Sequence, residues 1–183
     1  MKPINNGLIE QGVRQILKGL NIDPADRNFI DTPERVARLY VEMFGKKEVE
    51  YATFPEDFTD FIMLKGHVLY SMCPHHLLPV RFTVSLAYIP AGEVLGLSKL
   101  IRVLDECNTR PLLQEGFTRD AVARLQSEVS GVKDVACLVS GKHGCTEIRG
   151  VRSPGDFTTY HLEGAFRDDP KMESRFFQLA GRP

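Results

Sequence analysis

The chain has 183 residues, of which 43% are apolar, 26% charged and 9% aromatic. That size suits one compact domain with a small appendage, able to bury about 70% of its unfolded surface without disulfide support. Lys plus Arg number 23 against 24 Asp plus Glu, a formal charge of −1. So even a balance excludes a general electrostatic grip on nucleic acid or an anionic membrane, and any phosphate must be held by a local basic cluster.

The opening Met1-Lys2-Pro3-Ile4-Asn5-Asn6 has no apolar leader, and no run approaches the roughly 18 apolar residues of a spanning helix. A cytoplasmic protein is expected. The four cysteines, Cys73, Cys107, Cys137 and Cys145, are then read as core filler, metal ligand or nucleophile before disulfide partner.

Leu8, Ile9, Val13, Ile16, Leu17 and Leu20 recur at helical spacing and predict a first helix. After Asn21-Ile22-Asp23-Pro24 a second is predicted. Asp31 or Thr32 caps it, Pro33 sits in its first turn, and Gly45 ends it. Residues 46–60 read as a connection. From Phe61 the period changes to two: segments 61–64 and 67–72 precede a strand in which Phe82, Val84, Leu86 and Tyr88 share a face. Two helical segments follow, near 98–107 and 118–129, with Gln114-Glu115 just ahead of the second. Strands return at 134–140, 145–151 and 157–164, and a last helix opens at Pro170. Strands, helices, then strands predict an α+β fold: an antiparallel sheet with a helix pair on one face.

The densest chemistry is Ser71-Met72-Cys73-Pro74-His75-His76, between two strands. The Cys73-x-x-His76 spacing lets a thiolate and an imidazole converge on one ion. Equally, it reads as a proline turn with surface histidines. Lys142-His143-Gly144-Cys145 offers a third ligand in Cys145. Its distance along the chain rejects a zinc finger, whose halves lie roughly 12–20 residues apart, and suits a centre closed by tertiary folding. A Cys2His set leaves one position for water, the mark of catalytic zinc. His75 and His143 each neighbour a candidate ligand and can move protons. Ser98, Lys99 and Arg102 at a helix start outline a phosphate site, or else a solvated helix face. Arg149 and Arg152 add cations beyond Cys145. Glu115 can accept two N–H bonds from a guanine edge or simply favour a helix N-terminus.

These words, with Asp31-Thr32-Pro33-Glu34-Arg35-Val36-Ala37-Arg38, Ala87-Tyr88-Ile89-Pro90, Arg149-Gly150-Val151 and Phe166-Arg167-Asp168-Asp169-Pro170, run in one order along most of the chain. In that order the sequence resembles GTP cyclohydrolase type I, a zinc enzyme of the tunnelling fold. The resemblance implies a helical segment over residues 1–57 and a zinc-containing catalytic domain over 58–183 with a four-stranded antiparallel sheet. It implies Zn2+ on Cys73, His76 and Cys145, and proton transfer by His75 and His143. Glu115, with Gln114 beside it, falls on the guanine-recognising position. Ser98 lies near ribose and triphosphate, and Lys99, Arg102 and Arg149 hold phosphates. Arg35 and Arg38 fall on basic positions that another subunit contributes. The implied partners are GTP and further copies of the chain, in a homodecamer with active sites at subunit interfaces. The implied reaction turns GTP and water into 7,8-dihydroneopterin triphosphate and formate, a pterin that feeds folate, biopterin and deazaguanine routes.

Pro74 stands where the family most often has Glu, removing a carboxylate and a backbone donor from the rim. Gly116 replaces a usual Arg, and segments 104–109 and 160–164 also depart. The alternatives are a member that binds zinc and nucleotide without turnover, or one acting on another purine triphosphate. From a further class comes a redox-responsive protein with Cys73 and Cys145 paired as a disulfide.

Overall fold

The computed structural model describes residues 3–23, 25–45 and 49–181, so Pro24 and the 46–48 part of the expected connection lie outside it. Contacts gather the chain into two compact units, residues 1–46 and 47–183. The first is a pair of helices, α1 (Asn6–Gly19) and α2 (Thr32–Phe44). Asn5 opens α1 by accepting from the Leu8 N–H, satisfying one of the free donors of the first turn. Asp31 precedes α2, with Pro33 in the first turn, but its carboxylate accepts from Arg35 at 3.2 Å instead of capping the helix. Buried positions are Leu17 on α1 and Ala37 and Phe44 on α2.

In the second unit, β1 (Thr53–Pro55) pairs antiparallel with β4 (Glu93–Leu95). The main sheet holds β2 (Ile62–Met72), β3 (Pro79–Tyr88), β5 (Val135–His143) and β6 (Asp156–Glu163) in the order β2-β3-β5-β6, antiparallel throughout. Between them come α3 (Leu97–Cys107) and α4 (Gln114–Glu128), then α5 (Gly144–Glu147), with α6 (Ala165–Asp168) and α7 (Pro170–Ala180) at the end. This is the α+β architecture expected, a four-stranded antiparallel sheet with a helix pair on one face.

The period-two pattern explains the layering. Phe82, Val84, Leu86 and Tyr88 all point to one face and are fully buried. Beside them on β5 stand Val139, Cys137 and Val135. Against this face pack Leu100, Val103 and Leu104 of α3 and Phe117, Ala121, Val122 and Leu125 of α4. Phe82 stacks on Phe117, ring centroids 5.3 Å apart. The opposite face carries Ala87, Ala136, Leu138 and Leu162, covered by Phe166 of α6 and Phe176 of α7. Cys137 and Cys107 belong to the first layer. Burial pushes the Cys107 thiol up to about 12 and drives Cys137 up as well, so both are core filler, not nucleophiles.

Three local expectations change. Segment 145–151 is not a strand: the chain turns into α5 immediately after His143, and Thr146 Oγ1 donates to the His143 carbonyl at 2.9 Å. Its apolar residues Ile148 and Val151 are exposed, so their spacing did not mark a buried face. The segment read only as a connection contains β1, whose pairing with β4 joins it to the second unit. Finally, α4 begins at Gln114, which places Gln114 and Glu115 in its first turn instead of ahead of it. No helix among the described residues is long and apolar enough to cross a membrane.

The Phe82–Phe117 stack joins sheet to helix at the centre of the core. Phe82→Ala is expected to lower unfolding free energy by about 3–5 kcal/mol in urea titrations. A loss under about 1 kcal/mol, the scale of a surface substitution, contradicts this account of the core.

Candidate metal centre and active site

The strands position the site by ending together. β2 and β3 are joined by a short reversal in which the Cys73 N–H donates to the Leu78 carbonyl at 2.9 Å and the Leu77 N–H to the Cys73 carbonyl at 3.0 Å. Leu77 takes a left-handed backbone (φ 53) to close it. Cys73 is thereby held buried at the end of β2, with His75 and His76 exposed on the loop. On the neighbouring strand, His143 pairs with Val80, so β5 ends beside the same loop. Gly144 makes the approach possible: a Cβ there would lie 3.0 Å from the Pro79 carbonyl oxygen. The α5 turn then delivers Cys145.

Cys73, His76 and Cys145 thus meet, their ligand atoms all within 4.8 Å of one another. His76 Nδ1 lies 3.9 Å from Cys73 Sγ, and Arg149 Nη1 lies 2.7 Å from His76 Nε2. A guanidinium only donates, so Nε2 accepts and Nδ1 carries the hydrogen facing the sulfur. Burial raises the Cys73 thiol, but the N–H groups of Leu78, His76 and His75 and the thiol of Cys145 outweigh it, and the net shift is downward. Cys145 moves up, first through burial and then through the negative charge on Cys73. The Cys145 thiol thus hydrogen-bonds the Cys73 sulfur, and the two shift in opposite directions. A divalent cation would displace the thiol protons and leave two thiolates with an imidazole, a donor set suited to a soft or borderline metal.

The cavity beside these residues has a volume of about 190 Å³ and is lined by Cys73, Pro74, His75, Gln114, Glu115, His143, Cys145 and Phe157, among others. The expected catalytic and guanine-site residues therefore share one pocket. Burial lowers the pKa of His143, against the opposing pull of Glu115 and Glu147. Its ring meets the Phe157 ring edge-on at 5.5 Å and Phe82 at 6.1 Å. Glu115 is exposed in the first turn of α4, where the helix dipole favours its charge. Gln114 lines the pocket too, but its amide is taken up by the protein: Nε2 faces the carbonyls of Val139 and Phe157 and Thr159 Oγ1, and Oε1 meets His143.

The basic residues are not all gathered there. Ser98 and Arg102 line a different cavity, with Val49, Ile101 and Asp105. Lys99 Nζ donates to the Glu50 carbonyl. Arg35 and Arg38, on the first unit, pair along α2 with Asp31 at 3.2 Å and Glu34 at 3.6 Å. Sequence reasoning missed Phe157, Thr159, Thr118 and Gly141. Phe157, Thr159 and Thr118 are ordinary strand or helix content until the elements pack, and the one linear signal was a glycine at 141 beside the predicted strand.

The profile of the GTP cyclohydrolase I family matches residues 9–181. The chain belongs to the GTP cyclohydrolase I family. It is 39% identical to GTP cyclohydrolase 1 of Rhodopirellula baltica over 180 residues, covering 95% of this chain and 78% of that one. It is 40% identical to GTP cyclohydrolase 1 of Bacillus subtilis over 176 residues, 92% of each chain. Against GTP cyclohydrolase 1 of Lactiplantibacillus plantarum the identity is 38% over 181 residues, 95% of each.

Because cysteine binds metal as the thiolate, uptake of a divalent cation is expected to release protons and to tighten as pH rises from 6 to 8. Calorimetry in buffers of different ionisation enthalpy measures that release. Uptake with no proton exchange contradicts the sulfur pair as ligands.

Proposed function

We propose that this chain is a zinc-dependent GTP cyclohydrolase I, converting GTP and water to 7,8-dihydroneopterin triphosphate and formate. The observation that carries the reading is the meeting of Cys73, His76 and Cys145 beside a pocket that Cys73 and Cys145 line together with Glu115, His75 and His143. Two thiolates and one imidazole are ligands that zinc takes in catalytic centres with a position left for water. Such an ion supplies Lewis acidity and lowers the pKa of water toward about 7.

The chain's own residues supply the rest. Glu115 accepts the two N–H groups of the guanine edge and orients the purine. His143, kept largely neutral by burial, takes up and delivers a proton near N7, which makes C8 electrophilic enough for water to add. The imidazole ring opens, a second hydrolysis frees formate, and the ribose rearranges before the pterin ring closes. His75, on the opposite loop, serves the later proton transfers. Arg149 cannot keep donating to His76 Nε2 once that ring's only hydrogen resides there, so it turns to the triphosphate. Ser98, Lys99 and Arg102, together with Arg35 and Arg38, complete the phosphate site from neighbouring copies in a homodecamer. Supporting this are the separate cavity of Ser98 and Arg102 and the position of β2 and β6 at the sheet's two edges, which assembly covers.

Incubation with zinc and GTP, beside ATP and ITP, is expected to yield formate and a fluorescent oxidised pterin from GTP alone. Tight binding of zinc and GTP without formate overturns the reading. Cys145→Ala is expected to lose zinc and turnover together. His143→Ala should keep stoichiometric zinc while kcat falls on the order of 10²–10⁴-fold. Glu115→Ala should chiefly weaken selection of GTP over ATP, by about 1–3 kcal/mol, because guanine N–H groups are left unpaired.

A further inference from the structure

The hydrogens around Gln114 can be placed by elimination. Its backbone carbonyl accepts from Thr118 Oγ1 at 2.8 Å; a carbonyl cannot donate, so the Thr118 hydroxyl hydrogen is committed there. Thr159 Oγ1 lies 2.6 Å from Thr118 Oγ1 and must be the donor of that pair. It therefore offers a lone pair to Gln114 Nε2, 3.1 Å away. The same nitrogen faces the Val139 carbonyl at 3.1 Å and the Phe157 carbonyl at 2.7 Å. Three acceptors fix that end of the amide as NH2 and the other as the carbonyl oxygen. That oxygen lies 2.8 Å from His143 Nε2. Oxygen here only accepts, so the hydrogen sits on His143 Nε2.

We propose that Gln114, held by Thr118 and Thr159, is a positioning residue that fixes His143 as its Nε2–H tautomer and leaves Nδ1 as the nitrogen that exchanges protons with the bound nucleotide. The part concerning nucleotide rests on the function proposed above; the tautomer belongs to the protein alone.

Gly141 supports this independently. It lies inside β5, where glycine weakens a strand and marks close approach. A Cβ there would fall 2.1 Å from Gln114 Oε1 and 2.9 Å from His143 Nε2. The strand thus omits a side chain at the one place the amide and imidazole occupy. Gln114 is 4% exposed and Thr118 2%, so water does not compete for these bonds. Edge contacts with Phe82 and Phe157 flank the ring. The consequence is a division of labour: Glu115 reads guanine, and Gln114 acts on the proton donor, which makes it a determinant of kcat and not of KM.

The test uses the full zinc-loaded chain labelled with 15N-histidine, the His143 signals being assigned by their loss in His143→Ala. Long-range proton–nitrogen correlation is expected to show a protonated Nε2 and an unprotonated Nδ1. Gln114→Ala and Gly141→Ala should give mixed tautomers. Both should keep stoichiometric zinc, with kcat on GTP falling on the order of 10–100-fold at little change in KM. An Nδ1–H signature in the wild-type chain overturns the proposal. So does a Gln114→Ala variant that keeps the tautomer and kcat but raises KM and accepts ATP, since Gln114 then contacts guanine. If Gln114→Ala does not fold, the wild-type and Gly141→Ala spectra decide. A chain that fails to turn over GTP sinks the functional reading, while the spectrum still decides the tautomer.

Discussion

At Gly144 the end of β5 passes so close to the β2–β3 loop that a single methyl would stand 3.0 Å from the Pro79 carbonyl. The candidate centre follows from that approach. Cys73 and His76 are local to one loop, but Cys145 reaches them only because β5 ends there and turns at once into α5. The approach depends in turn on register. Val80 opposite His143 is the last step of a ladder whose other pairs, Val84 with Val139 and Leu86 with Cys137, lie in the buried layer. A slip of one residue would turn those side chains to the other face and move His143 off the pocket wall. Core packing and site chemistry are therefore one constraint.

The pocket illustrates how a sheet and a helix share the work of building a site. α4 contributes Gln114 and Glu115 from its first turn, one inward and one outward. The inward residue is buried at almost no cost because every polar atom of its side chain has a partner on β5 or β6. The outward residue stays in the pocket, with its charge favoured by the helix N-terminus. Burial of His143 under the same arrangement disfavours the charged imidazolium and keeps the ring neutral at neutral pH. Family membership and this geometry point the same way. The two edge strands and the phosphate residues on a separate cavity are, on the proposed reading, completed by other copies of the chain.

Much of this was legible in the residue order. Alternation at Phe82, Val84, Leu86 and Tyr88 specified a strand with one buried face, and the helices α1, α2, α3 and α7 were marked by spacing, Pro33, Gly45 and Pro170. The Cys73-x-x-His76 pair announced itself, because its residues are local and carry metal-binding chemistry. Segment 145–151 misled, since Ile148 and Val151 look like a strand face yet are exposed after a helical turn. Gln114 shows what residue order leaves open. Next to Glu115 it reads as part of a guanine site, while the packed elements hold its amide against Val139, Phe157, Thr159 and His143.

By itself the sequence determined most of the element types, the sheet's buried face, the family and the candidate ligands, because those depend on side-chain period and on short-range chemistry. Tertiary structure alone decided that Cys145 reaches Cys73, that Gln114 meets His143 above Gly141, and that Ser98 and Arg102 open onto a different cavity. Those outcomes are distances between residues far apart along the chain. They are set by strand register and by where helices settle on the sheet, and no spacing within a segment encodes them.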